Sequence, residues 1–259
     1  MNTEKIVEEI KAAYPELDTA RTLQVQRDFV RASEAYATLL SKMAQNEPEN
    51  SLKLALVYLE YANALLMSND NIVVNPEVKE DLEYLEDLEI AWEVLEIAKN
   101  TFVAHSLVQE QIKAHLLLSD IAQESSNYPT SKEDLTEALA LSKKEFGDTR
   151  ETAEIAFKLA VVEEALENKQ EAMHLLDGVI AALKKLPRDS DTEELIQEVA
   201  ERRSEVERPE RRTLHPKPAP SPAAALDPSQ PVKRITSVKP TPESMKEAFL
   251  KDLKRQATG

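Results

Sequence analysis

The sequence contains no cysteine, so neither a disulfide framework nor thiol chemistry is open to it, as suits a reducing compartment. It has three glycines in 259 residues, one of them the last, which excludes the glycine-rich loops that cradle phosphates. Prolines number 14, and nine of them follow Arg208. The first 207 residues are therefore almost free of helix breakers. Long β-branched runs and Asn-Gly turns are missing, which argues against a sheet. No stretch approaches the roughly 18 apolar residues of a membrane span. The opening MNTEKIVEEIKAAYPEL alternates charged and apolar residues without a hydrophobic signal segment, so cytosol or nucleus is expected. The four histidines, His105, His115, His174 and His215, stand far apart. With no cysteine to help them, they support no zinc site. No carboxylate pair has a distinctive base or nucleophile beside it. A protein without catalytic activity, metal or cofactor is expected.

What remains is rich in Leu, Ala, Glu and Lys, all strong helix formers. Apolar residues recur at three- and four-residue spacing. The pattern predicts a short helix over 3–13, stopped by Pro15, and a long one from about Asp18 to Ala44 that Pro48 ends. Leu52 to Met67 is apolar on most sides, as in a helix buried between neighbours. Further helices are predicted over about 82–102, 107–125, 131–146 (capped by Thr130 or Ser131), 149–167, 168–186 and 191–207. The motif Ala-apolar, read as lying in the first helix of each pair, recurs at Ala35-Tyr36, Ala91-Trp92, Ala138-Leu139 and Ala172-Met173. The last two stand 34 residues apart, the period of a tetratricopeptide (TPR) helix pair. The expected fold is all-α: a TPR-type superhelix of about four repeats, the second interrupted, with a polar capping helix. Residues 1–18 form an N-terminal helical segment, 19–207 the repeats with an acidic interruption near 69–89, and 208–259 a Pro-rich basic tail, disordered up to a short terminal amphipathic segment.

Charge is divided unevenly. From Arg208 onward there are 11 bases and five acids, whereas the preceding residues carry 43 acids against 21 bases, a net of −22. Such a field repels nucleic acid and anionic membranes and attracts cationic partners. The repeats are therefore expected to bind a basic protein and not to touch nucleic acid or membrane directly, as a monomer or a homodimer. The basic clusters Arg208, Arg211, Arg212 and Lys233, Arg234 read as nuclear-localisation patches, as solubilising linker charge, or as a tail that folds back on the acidic repeats.

The interrupted second repeat, the acidic run KEDLEYLEDLE inside it, and the following LEIAWEVLEIAKNTF resemble the SHNi-TPR proteins, the nuclear autoantigenic sperm protein (NASP) family of histone chaperones. QIKAHLLLSDIAQESSNY and ETAEIAFKLAVVEEALENKQEAM look similar as well, so the resemblance spans roughly 22–186. It implies a nuclear protein that binds histone H3, alone or with H4, for storage, transport and chromatin assembly. It also implies the contact residues: Glu80, Asp81, Glu83, Glu86, Asp87 and Glu89 in the insertion, and Asp120, Glu124 and Glu154, with Phe157 beside them, on inner helices. The insertion departs from the long, nearly pure acidic tract common in that family, being short and mixed with Leu and Tyr. The residues alone leave two readings of the run, a binding element or the solvated first turn of a helix, where carboxylates suit the dipole. A TPR adaptor or scaffold for other protein segments is the rival reading of the whole chain. A clamp for the C-terminal carboxylate of a heat-shock protein needs Lys, Arg and Asn in the groove, where acids are expected instead.

Overall fold

A computed structural model describes residues 3–48, 50–69, 82–187 and 189–208. They fold into ten α-helices, with no strand among the described residues: α1 Thr3–Ala13, α2 Glu16–Val25, α3 Phe29–Met43, α4 Leu52–Asn69, α5 Leu82–Ala104, α6 Val108–Glu124, α7 Tyr128–Phe146, α8 Arg150–Ala165, α9 Lys169–Leu183 and α10 Ser190–Glu207. None is long and apolar enough to cross a membrane. From α2 onward each helix packs against the next.

Four of the turns share one geometry, made without glycine. Arg27, Ser106, Ser126 and Glu167 each take a left-handed backbone, with φ of 60°, 56°, 54° and 62°. In each, the amide of the next residue donates back to a carbonyl five positions earlier: Asp28 to Leu23 at 3.0 Å, Leu107 to Phe102 at 3.0 Å, Asn127 to Ala122 at 2.7 Å and Asn168 to Glu163 at 2.8 Å. This closure satisfies a carbonyl that the helix end would otherwise leave open, and it reverses the chain within three residues. The first turn divides the long helix expected from Asp18 to Ala44 into α2 and α3. Apolar spacing runs through it unbroken, and neither Gly nor Pro marks it. The available signal was Asp28, which caps α3 by accepting from the Arg31 amide at 3.4 Å. Asn127, and not Thr130 or Ser131, caps α7. Thr149 caps α8 and Asp189 caps α10.

Separating α2 from α3 also resets the repeat. Counted from α2, the pairs are α2/α3, α4/α5, α6/α7 and α8/α9, with α10 closing the stack. The Ala-apolar motif therefore falls in the second helix of each pair. The even-numbered helices form a layer whose neighbours are bridged directly. Arg21 of α2 pairs with Glu60 of α4, Asp120 of α6 with Lys158 of α8 at 3.2 Å, and Glu164 of α8 with Arg202 of α10 at 2.8 Å. Helices α4 and α6 touch as well. The layer whose members approach each other is the inside of the curve. Against its first members lies α1, burying Ile10 completely.

Close approach within pairs depends on small side chains. Ala62, Ala64, Ala91, Ala98, Ala114 and Ala138 are wholly buried. Two pairs of buried hydroxyls find each other: Ser119 with Ser131 at 2.8 Å between α6 and α7, and Ser142 with Thr152 at 2.7 Å between α7 and α8. A buried hydroxyl without a partner would cost about 1–3 kcal/mol. The core falls into two clusters that meet on α6. Leu118 and Ile121 belong to the N-terminal cluster and Ile112 to the C-terminal one. Trp92 packs half-buried against the first cluster, as a repeat-core residue.

Because a side chain in the left-handed region carries a cost glycine does not, Ser126→Gly should stabilise the fold by about 0.5–1 kcal/mol, a rise of about 1–4 °C in Tm for a domain this size. Ser126→Val should lower it by a similar amount. Thermal denaturation of the two variants checks the sign of each.

Candidate protein-binding groove

Among the described residues, depressions on the inner face of the even-numbered helices include the following pair. The first, about 450 Å³, lies among α1, α2, α4 and α6, with Arg21, Glu60, Asn63 and Lys113 among its walls. The second, about 420 Å³, lies between the N-terminal halves of α6 and α8. Its floor is apolar, from Ile112, Leu116 and Ile155, and Phe146, still 47% exposed at the end of α7, forms its lip. Lys113, Lys158, Glu151 and Glu154 ring it. Both glutamates are exposed. Glu151 sits in the first turn of α8, where its own backbone amide and the Thr149 hydroxyl hold its carboxyl below the usual carboxylate range. That corner of the rim therefore holds its charge to lower pH than an ordinary glutamate does.

The carboxylates singled out in the sequence have different surroundings. Asp120 lies on the inner face of α6, but its oxygens accept from Lys158 at 3.2 and 3.4 Å. Glu124, at the end of α6, accepts from the Tyr84 hydroxyl at 2.6 Å. Glu154 lines the second depression. Phe157, one turn further along α8, is half-buried against the C-terminal core cluster and is not among the residues lining that depression. In the insertion, Glu80 and Asp81 lie outside the described residues, as does the side chain of Glu83. Glu86 and Glu89 are exposed and Asp87 half-buried on the first turns of α5. Arg208 is the exposed C-cap of α10; Arg211, Arg212, Lys233 and Arg234 lie outside the described residues.

The inner face is therefore not uniformly acidic. Arg21 and Lys158 are both engaged by carboxylates, whereas Lys113, which borders both depressions, is exposed. Helical spacing could not give this, because it does not say which acids meet which bases across successive repeats. The apolar floor was missed too. Its residues read as ordinary core positions, and the one visible clue was an aromatic, Phe146, immediately before the helix-ending Gly147.

Two of the ion pairs of this face, Arg21 with Glu60 and Lys158 with Asp120, have unequal weight. The Arg21 guanidinium grips Glu60 through two nitrogens, one at 2.8 Å, while the Tyr36 hydroxyl donates in the same cluster, 2.9 Å from Glu60 and 2.7 Å from Gln24. Burial and the neighbouring Glu60 carboxylate push the phenol pKa well above its usual value, so Tyr36 stays a donor. Asp120 and Lys158 keep 39% and 36% of their side-chain surface in water, and solvent and salt screen such a pair.

No protein-family model and no curated protein matches the sequence. Solved structures do. The chain is similar to a kinesin light chain of Podosopora anserina with nearly identical TPR-like repeats, at 16% identity and a TM-score of 0.56, covering 76% of this chain and 95% of that one. It is similar to the yeast histone chaperone Hif1, described as a scaffold protein recruiting protein complexes to core histones, at 14% identity and a TM-score of 0.55, over 78% of this chain and 96% of that one. BtubC of P. vanneervenii matches with a TM-score of 0.50 at 14% identity, over 86% and 98%. The chain has the all-helical TPR-like repeat fold.

Glu60→Gln should destabilise the fold by about 1.5–3 kcal/mol, because it strips a charge-assisted, partly buried network. Asp120→Asn should cost less than about 1 kcal/mol. Urea denaturation at 150 mM salt ranks the two, and equal costs would contradict the assignment.

Proposed function

We propose that the chain is a histone chaperone that holds a basic segment of H3, or of H3 within H3–H4, along the inner face of α6 and α8. The observation that carries the reading is an apolar depression rimmed by the exposed carboxylates Glu151 and Glu154, on the inner side of a stack that is itself strongly acidic. The likeness in fold to a yeast histone chaperone supports it. Net negative charge steers a basic chain toward the stack. An apolar side chain of the segment then fills the depression, while Arg or Lys on either side meets Glu151, Glu154 and, at the far end of α6, Glu124. Glu86, Asp87 and Glu89, with the insertion residues before them, offer a second, rim-type electrostatic contact. Contacts of that kind release readily, as a carrier that must hand on its cargo requires. The basic tail would direct the protein to the nucleus through Arg208, Arg211, Arg212, Lys233 and Arg234. On this reading Asp120 contributes little to the partner, since Lys158 already occupies it.

Titration of the full chain with H3–H4 at about 150 and 300 mM salt tests the proposal. Binding should persist at the higher salt. It should weaken about 10- to 100-fold in the triple variant Glu124→Ala, Glu151→Ala, Glu154→Ala, and less than about 3-fold in Asp120→Ala. A chain that ignores H3–H4 at 150 mM, or a triple variant that binds like the wild type, would overturn it. A scaffold for other protein segments would then become the better reading.

A further inference from the structure

The depression between α6 and α8 has a second candidate occupant, encoded in the same chain. Residues 209–259 lie outside the described residues, and it is their sequence that bears on the groove. The last part, ESMKEAFLKDLKRQ, places Met245, Phe249 and Leu253 four residues apart with Leu250 beside them, and sets Lys246, Lys251, Lys254 and Arg255 around them. Four-residue spacing puts the apolar residues on one face of a helix with Lys246 beside them, whereas Lys251 falls on the opposite face and Asp252 on the flank. That apolar face matches the floor of Ile112, Leu116 and Ile155, and the base beside it can meet Glu151 or Glu154 on a rim that also carries Lys113 and Lys158.

We infer that the segment from Glu243 to Gln256 seats its Phe249 and Leu253 in this depression and so occupies the groove until a partner displaces it.

Reach permits this. The intervening residues 209–242 are rich in proline and, extended at about 3.1 Å per residue, span roughly 100 Å. Helix α10 is about 27 Å long at 1.5 Å per residue, and it is bridged directly to α8 through Arg202 and Glu164. The depression therefore lies within about half the tether's span of Glu207. Charge favours the same docking: the chain from Arg208 onward carries a net +6, against −22 for everything before it. A tether of this kind gives an effective concentration of around a millimolar, so even a segment of modest intrinsic affinity keeps the site largely filled. The inference does not rest on the histone reading, because any partner using this face would meet the same competitor.

A synthetic peptide of residues 241–259 titrated into two forms of the full chain tests it. In the double variant Phe249→Asp, Leu253→Asp the built-in segment can no longer fill the depression, and the peptide should bind. To the wild-type chain it should bind at least 10-fold more weakly, because it must compete with the tethered copy. Adding Glu151→Lys and Glu154→Lys, two exposed changes that spare the core, should abolish binding to the double variant. Since the protein has no cysteine, Glu154→Cys combined with Leu253→Cys provides an independent readout. Mild oxidation should close a disulfide within one chain, and Glu171→Cys on α9 with the same Leu253→Cys should not. Equal peptide affinity for both forms, no binding to either, or cross-linking only between separate chains would overturn the inference. None of these results would bear on whether the full chain takes up H3–H4.

Discussion

The rest of the structure depends on the inability of one helix pair to hide its own apolar face. Each pair must be covered by the next, and the cover works only where backbones come close. Alanine and serine at the crossings permit this, with Ala62, Ala91, Ala114 and Ala138 wholly buried and Ser119 and Ser131 bonded to each other inside the stack. Stacking then leaves the even-numbered helices on the inside, brings α6 beside α8, and opens between them the depression floored by Ile112, Leu116 and Ile155. The site follows from repetition, and no separately built cavity is needed.

Because repetition fixes the backbone, the chain is free to vary charge along the inner face. It uses that freedom in two ways. Some bases are spent in bridging one repeat to the next, as Arg21 does with Glu60 and Lys158 with Asp120. Some acids are left exposed on the rim, as Glu151 and Glu154 are. The difference between a structural acid and an available one is therefore a matter of which base the neighbouring repeat presents, and it decides which carboxylates can meet a partner.

Much of the fold was legible in the residues. Helix content, the approximate number of repeats, the core role of Trp92 and the closing helix near 191–207 all follow from spacing and from the rarity of Gly and Pro. The turn at Arg27 was not read, since a non-glycine left-handed residue leaves no compositional mark and the cap Asp28 was its one signal; missing it merged α2 with α3 and shifted the pairing by one helix. In the site, Glu154 was placed on an inner helix by pattern and lies there. Phe157 packs half-buried against the core cluster, while Phe146, at the end of the preceding helix, stands at the mouth of the depression. Helical periodicity cannot separate two phenylalanines that both sit on the apolar side of a helix; only the stacking of the next repeat does.

The central claim is that partners are taken on the inner face of α6 and α8. Amide hydrogen exchange of the full chain with and without bound H3–H4 addresses it most directly. The account predicts slowed exchange in the N-terminal halves of α6 and α8, around Ile112–Leu116 and Glu151–Ile155, with the outward helices α7 and α9 little changed. Protection confined to α7 and α9, or to the acidic start of α5 alone, would contradict it.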